Sequence, residues 1–432
     1  MSDREPSSKR PTVLAAIAMF SFGASSASGA PATAAREVDA SLERRATDSI
    51  EAKRDALIAV RHDLHRHPEP SGEEERTAGV VADRLRALGL EVRAGVGGHG
   101  VVGILRGGEP GATVAYRADM DAMRSADPDP VEYRSVVPGV RHICGHDVHT
   151  TIGLAIAEGL TAVRGQLAGN VMFLFQPAEE NATGAEAMLT DGVFESVRPD
   201  AVFGLHTAPM PVGQLAIRLG VMMPGRDQVR VRLSGTGDVA AAANRVRQAL
   251  LDVVTLSQAQ SVAPMPPTGW VAGFVGQPRT EGDRTVVSAM LTLPDDATRT
   301  GVRETLEEAV ASLSERDGVA AELEYEALLI AGIDNDPATT ARAIASVERA
   351  LGGADDASPV LRLETLVPAF SEDFGSFQEQ APGAFFFLGV SNPEKGTVGM
   401  PHTPGYVADD EAIFVGAKAM TAVLLDELAR NR

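Results

Sequence analysis

Four short apolar runs, Val101–Leu105, Thr113–Tyr116, Val171–Phe175 and Ala201–Leu205, alternate along the chain with stretches of helical period. That alternation constrains the fold more than any other feature. Each run reads as a buried strand, and the intervening segments Thr150–Val163 and Gly184–Leu189 read as helices that cover the faces of the sheet. The expected class is α/β with a mixed sheet. Upstream, Ile50, Leu57, Val60 and Leu64 predict one amphipathic helix over Asp48–Arg66, stopped by Pro68 and Pro70. A second helix places Val81, Leu85 and Leu88 on one face and ends at Gly89.

The rhythm changes near Pro224. Val229, Val231 and Leu233 alternate with Gln228, Arg230 and Arg232, the period of a half-buried strand. A helix over about Val239–Ser257 follows. Strands come next at Trp270–Val275 and Thr285–Leu293, then a helix at Arg299–Leu313 and a strand at Ala320–Tyr325. The order β-α-β-β-α-β predicts a ferredoxin-like unit. The first style then returns, with a helix at Ala338–Leu351, a strand at Ala384–Val390 and a final helix from Asp410. The chain of 432 residues is long enough for two domains. The expected division is a catalytic domain in two parts, 35–224 and 333–432, interrupted by an α+β lid at 225–332.

Residues 1–34 read as an export signal. Lys9 and Arg10 precede the apolar run Val13–Ala24, and Ala32-Thr33-Ala34 supplies a small-residue cleavage site. The expected location is therefore periplasmic or secreted. The apolar run is too short for a stable transmembrane helix, so no membrane contact is expected after cleavage. The net charge of −20 disfavours nucleic acid and anionic membranes as partners. Cys144 is the only cysteine, which excludes an intrachain disulfide.

The chemistry-bearing residues follow predicted strand ends, where open α/β sheets bind ligands. Arg117-Ala118-Asp119-Met120-Asp121 follows the second run. Gln176-Pro177-Ala178-Glu179-Glu180 follows the third, and His206 follows the fourth. Cys144-Gly145-His146 opens a helix, and His402 comes from the C-terminal part. Cysteine, histidine and glutamate together form a ligand set for divalent transition metals. Adjacent Glu179 and Glu180 can divide two tasks, one holding metal and the other taking a proton from the attacking water. Taken singly, each cluster has a plainer reading, a helix-start carboxylate pair, a hydrogen-bonded histidine or a core cysteine. Their joint occurrence at strand ends favours metal. His62, His65 and His67 read as capping or structural residues, and His99 as a turn residue.

Leu64-His65-Arg66-His67-Pro68-Glu69, Arg117-Ala118-Asp119-Met120-Asp121-Ala122, Cys144-Gly145-His146-Asp147, Gln176-Pro177-Ala178-Glu179-Glu180, Gly204-Leu205-His206, Ser371-Glu372-Asp373-Phe374, Phe385-Phe386-Phe387-Leu388-Gly389 and His402-Thr403-Pro404 occur in that order. The series resembles the M20 metallopeptidase family in its amidohydrolase branch, which includes aminoacylase-like, hippurate-hydrolase-like and auxin-conjugate-hydrolase-like enzymes. The resemblance implies two divalent ions held by Cys144, His146, Glu180, His206 and His402. Thiolate and imidazole favour zinc, while the carboxylate and the family also permit manganese, cobalt or nickel. Glu179 would be the general base, and Asp119 an acid behind or between the ligands. Arg117 stands where other branches have a histidine ligand, and His142 and His149 receive no role. The implied reaction is hydrolysis of amide bonds in N-acyl amino acids or related small amides. A dipeptidase or carboxypeptidase is the alternative. The family's lid often mediates dimerisation, which implies a homodimer through the lid.

The sequence also departs from the family. A Gly-Gly-His-type lid loop, whose histidine contacts substrate or the developing oxyanion, is replaced by Gly235-Thr236-Gly237-Asp238-Val239-Ala240. No histidine lies between Arg226 and Gly332. Losing one oxyanion donor costs roughly two to three orders of magnitude in rate. Another residue replaces it (Arg226, Arg245 and Arg247 are candidates), or the activity is weak, or the substrate differs, or the chain binds such ligands without turnover.

Overall fold

The structure is a computed structural model that describes residues 40–256, 268–352, 358–367 and 371–430. The expected leader at 1–34 lies outside the described residues. No described helix is long and apolar enough to cross a membrane.

The larger sheet has eight strands. In spatial order they are Glu91–Val96, Gly100–Arg106, Ala168–Gln176, Glu109–Asp119, Ala201–Pro211, Gly383–Ser391, Leu215–Ile217 and Val360–Arg362. The four central strands, from Ala168–Gln176 to Gly383–Ser391, run parallel, and antiparallel pairings flank them. The sheet is therefore mixed, as expected. Its central strands carry unbroken buried apolar runs, such as Val171–Phe175, where helices cover both faces. Phe173, Phe175, Phe203, Phe385 and Phe386 are all fully buried there. The helix His146–Thr161 is buried on nearly every side, packed against the helices Ala40–Glu51, Arg54–Arg66 and Glu411–Arg430.

Several elements differ from expectation. The single helix expected over Asp48–Arg66 is two, Ala40–Glu51 and Arg54–Arg66. Lys53 N–H reaches Ile50 O with a tighter turn at the junction, so the apolar period runs through without a proline or glycine to announce the break. The strand carrying His206 continues to Pro211, which puts that histidine inside a strand. The strands Glu91–Val96, Leu215–Ile217 and Val360–Arg362 were not anticipated. The last two have three residues each, too few to leave a pattern.

The second sheet is antiparallel and has its own core. Its strand order is Ala272–Val275, Arg284–Thr292, Arg226–Gly235, Val319–Ile330, with Arg279–Glu281 as an added hairpin on Arg284–Thr292. Taken in chain order the four main strands lie 2-3-1-4, the ferredoxin-like arrangement. Val229, Val231 and Leu233 pack with Val246 and Leu250 of the helix Val239–Val253 and with Leu306 of the helix Asp296–Asp317. The chain enters and leaves this lid through two short strands that pair with each other, Gly220–Met223 and Ile333–Asn335.

Candidate metal centre

The chemistry-bearing loops meet at the carboxyl ends of the central parallel strands. Glu179 and Glu180 follow Ala168–Gln176, Asp119 ends its strand, and Cys144 and His146 stand at the start of the helix His146–Thr161. His402 arrives from the C-terminal part on a loop whose His402 N–H donates to Ile143 O at 2.8 Å. Gly145 makes the approach possible. Its φ is +100°, and a Cβ there would lie 2.2 Å from the Tyr406 hydroxyl and 2.6 Å from Thr207 Oγ1.

All five expected ligands come together. Cys144 Sγ lies 3.2 Å from His206 Nε2 and 3.3 Å from His402 Nε2. His402 Nε2 is 3.2 Å from Glu180 Oε2. His146 Nε2 is 3.7 Å from both Glu179 Oε2 and Glu180 Oε1. Two of the donor-atom groups contain only expected ligands, Cys144–His146–His206 and Cys144–Glu180–His402, with the thiol common to both; Glu179 joins further groups with His146 and Glu180 and with Glu372 and Asp373.

The surrounding hydrogen bonds orient these atoms. His146 Nδ1 is engaged by Asp121 Oδ1 at 3.1 Å, and His206 Nδ1 by Thr207 O at 2.8 Å. A ring nitrogen that donates on one side leaves the other as an acceptor, so both Nε2 atoms are available as ligands. Asp121 Oδ2 accepts from Ser71 Oγ at 2.6 Å and from Glu180 N–H at 3.0 Å. One carboxylate thus fixes two of the expected ligands. Ala178 holds a positive φ of 54° just before Glu179, and its N–H donates to buried Glu74 Oε1 at 2.8 Å. Sequence reasoning assigned no role to Asp121 or Glu74; Asp121 sits within the Arg117–Ala122 motif, but Glu74 carries no local signal.

Asp119 is fully buried and does not line the cavity. It accepts from His149 Nδ1 at 2.6 Å and from Arg117 Nη1 at 2.7 Å, and its Oδ2 is 3.7 Å from His146 Nε2. His149 Nε2 in turn accepts from Thr207 N–H at 2.9 Å, which fixes its neutral tautomer and ties Asp119 to the His206 strand. Arg117 reaches Gln176, Glu372 and Asp373 as well as Asp119. It neutralises three buried carboxylates and is no ligand. His65 lies between Asp147 and Asp129, and His67 caps its helix, as structural residues.

The donor set fits divalent cations. His146 Nε2 and Glu180 Oε1 are buried without a hydrogen-bond partner among the described residues. Burial opposes protonation of His146, yet Asp119 and Asp121 outweigh it and raise its pKa to about 10. Burial, then Glu372 and Glu180, push the Glu179 carboxyl well above its usual range. Burial, then Glu180 and Glu179, push the Cys144 thiol well up. Each shift expresses one demand, for more positive charge at this point, which cations meet.

These residues open on a cavity of about 510 Å3, lined by Cys144, Glu179, Glu180, His206 and His402 on one side. The lid side contributes Arg226 and Ile330. Of the three candidate arginines, only Arg226 lines it. Arg245 faces a separate pocket between the two lid helices. No described residue of the loop 235–240 lines the cavity.

The family profile of peptidase family M20/M25/M40 matches residues 115–426. The chain belongs to that family. It is 31% identical to thermostable carboxypeptidase 2 of Saccharolobus solfataricus, across 88% of this chain and 97% of that protein. It is 29% identical to N-acetyldiaminopimelate deacetylase of Enterococcus faecalis, across 86% and 98%. Among solved structures it resembles a dinuclear metal binding peptidase of the M20 family from Bacillus subtilis. That match has a TM-score of 0.72 and 28% identity, across 88% and 99%. This M20 chain is a metallo-amidohydrolase with a catalytic α/β domain and a lid.

Proposed function

We propose that this enzyme hydrolyses the amide bond of N-acyl amino acids or related small amides, with Cys144, His146, Glu180, His206 and His402 holding two divalent ions. The carrying observation is that the five ligands make up two donor groups sharing the Cys144 thiol, while Glu179 lies outside both and clusters with His146 and Glu180. The chemistry those cations supply is positive charge, which polarises the carbonyl and acidifies water. Glu179 then takes the proton of the attacking water and passes it to the leaving nitrogen. His149 and Arg117 hold Asp119, and Asp121 holds His146 and Glu180, so the donors need little rearrangement. The carboxypeptidase and deacetylase names of the relatives both describe cleavage of an amide-type bond, which supports the reaction class. In this reading the leader at 1–34 exports the enzyme, and the lid joins two copies.

The test is hydrolysis of a panel of N-acetyl and N-benzoyl amino acids and dipeptides by the purified chain, before and after chelator treatment and reloading with zinc or manganese. Turnover that disappears on chelation and returns on reloading is the expected result. Bound metal with no turnover across the panel would replace the hydrolase reading with that of a ligand-binding relative.

A further inference from the structure

Arg226 is the only lysine or arginine among the described residues that line the catalytic cavity. Its Nε is buried and has no hydrogen-bond partner among the described residues. Burial lowers its pKa, and Glu179 is the one charged group that acts against that shift. No ion pair joins the two residues. A half-buried guanidinium with a buried donor left unpaired gains when an anion reaches it. The rest of the cavity offers the opposite charge, from Glu179, Glu180 and Glu372. Apart from the cations themselves, Arg226 is thus the one lysine or arginine that an anionic part of a ligand meets among the described residues lining this cavity.

That place is rigid. Arg226 is the first residue of the first lid strand, next to the paired crossings Gly220–Met223 and Ile333–Asn335, and it pairs with Thr292 and Ile330. Its neighbour Asp227 is fully buried and accepts from Arg299 Nε at 2.9 Å, Tyr325 Oη at 2.7 Å and Leu328 N–H at 2.9 Å. The backbone that carries Arg226 is thus anchored into the lid on both sides. The shortened loop at 235–240 lies at the other end of the same strand and offers no competing cation in the cavity.

Resting on the amidohydrolase reading above, we infer that Arg226 is the specificity-determining residue that receives a substrate carboxylate, at the lid side of the cavity and opposite Glu179. The forked donors of arginine match the two oxygens of a carboxylate. A free acid is then preferred over the matching carboxamide, and the donors of Arg226 are filled only when the acid is bound.

The test is titration calorimetry on the full, metal-loaded chain carrying Glu179→Ala to prevent turnover, with N-benzoylglycine and N-benzoylglycinamide as ligands. With Arg226 present, the acid should bind roughly 10–100-fold more tightly than the carboxamide. Arg226→Gln should bring the two Kd values within about two-fold by weakening the acid alone, and Arg226→Lys should restore part of the preference. Metal content and unfolding midpoint, measured on each variant, confirm that the fold is kept. An acid preference that survives Arg226→Gln, an equal loss for both ligands, or binding of neither ligand would overturn the inference. Turnover of the same two compounds by the chain with Glu179 intact reports separately on the hydrolase reading. Absent turnover with an Arg226-dependent acid preference would remove the hydrolase reading and leave this one standing.

Discussion

The Nδ1–H of His146 donates to Asp121 Oδ1 at 3.1 Å, and this leaves Nε2 facing Glu179 and Glu180 at 3.7 Å each. Because the other oxygen of Asp121 accepts the Glu180 N–H, one side chain sets the direction of two donors. Asp121→Asn replaces an acceptor by an NH2 group on one side. Metal affinity should fall roughly 10–100-fold, measured by competition with a chelator. Unchanged affinity would show that Asp121 has no orienting role.

The two donor groups differ in what they share. Cys144 belongs to both, whereas His402 belongs only to the group with Glu180. Elemental analysis should therefore find a single ion retained in His402→Ala and both ions weakened in Cys144→Ala. Equal loss in the two variants would contradict a bridging thiolate.

Gly145 holds φ at +100° against Tyr406 and Thr207. Gly145→Ala adds both backbone strain and a collision, so stability should fall by at least about 1–3 kcal/mol, read from urea unfolding. Metal binding should weaken with it, because Cys144 and His146 flank the turn.

How much of this was legible beforehand varies with the physics of each part. The central strands announce themselves because burial on both faces demands unbroken apolar runs, as at Val171–Phe175. The lid strand at Val229–Leu233 alternates because only one face is covered. Leu215–Ile217 and Val360–Arg362 are too short to carry either pattern. Among the site residues, the five donors could be named because their residue types suit metal and their motifs resemble a family. Their orientation could not. Asp121, His149 and Glu74 act through hydrogen bonds to residues distant in sequence. Arg226 was one of three arginines that composition alone could not rank, and only the placement of the lid strand separates it from Arg245.

The buried charge network behind the site gives a pH prediction. His65 lies between Asp147 Oδ2, 2.9 Å from Nδ1, and Asp129 Oδ2, 3.1 Å from Nε2. Burial opposes its protonation, but Asp147 and Asp129 outweigh burial and raise its pKa above the ordinary 6.5. The folded state therefore binds the proton more tightly than the unfolded chain. The resulting stability is fully present below about pH 6.5 and is lost as pH rises through the elevated folded value. Urea unfolding of the wild type and His65→Gln should differ most near pH 6, with the difference narrowing as pH rises above 6.5. A difference that grows with pH would contradict the assignment.

The central claim is that Glu179 moves the proton while other residues hold the metal. It is tested most directly by measuring kcat for Glu179→Gln on the best substrate of the panel, with bound metal counted in the same preparation. The account predicts a kcat lowered roughly 10²–10⁴-fold with metal content unchanged. A rate close to that of the wild type at full metal content would contradict it.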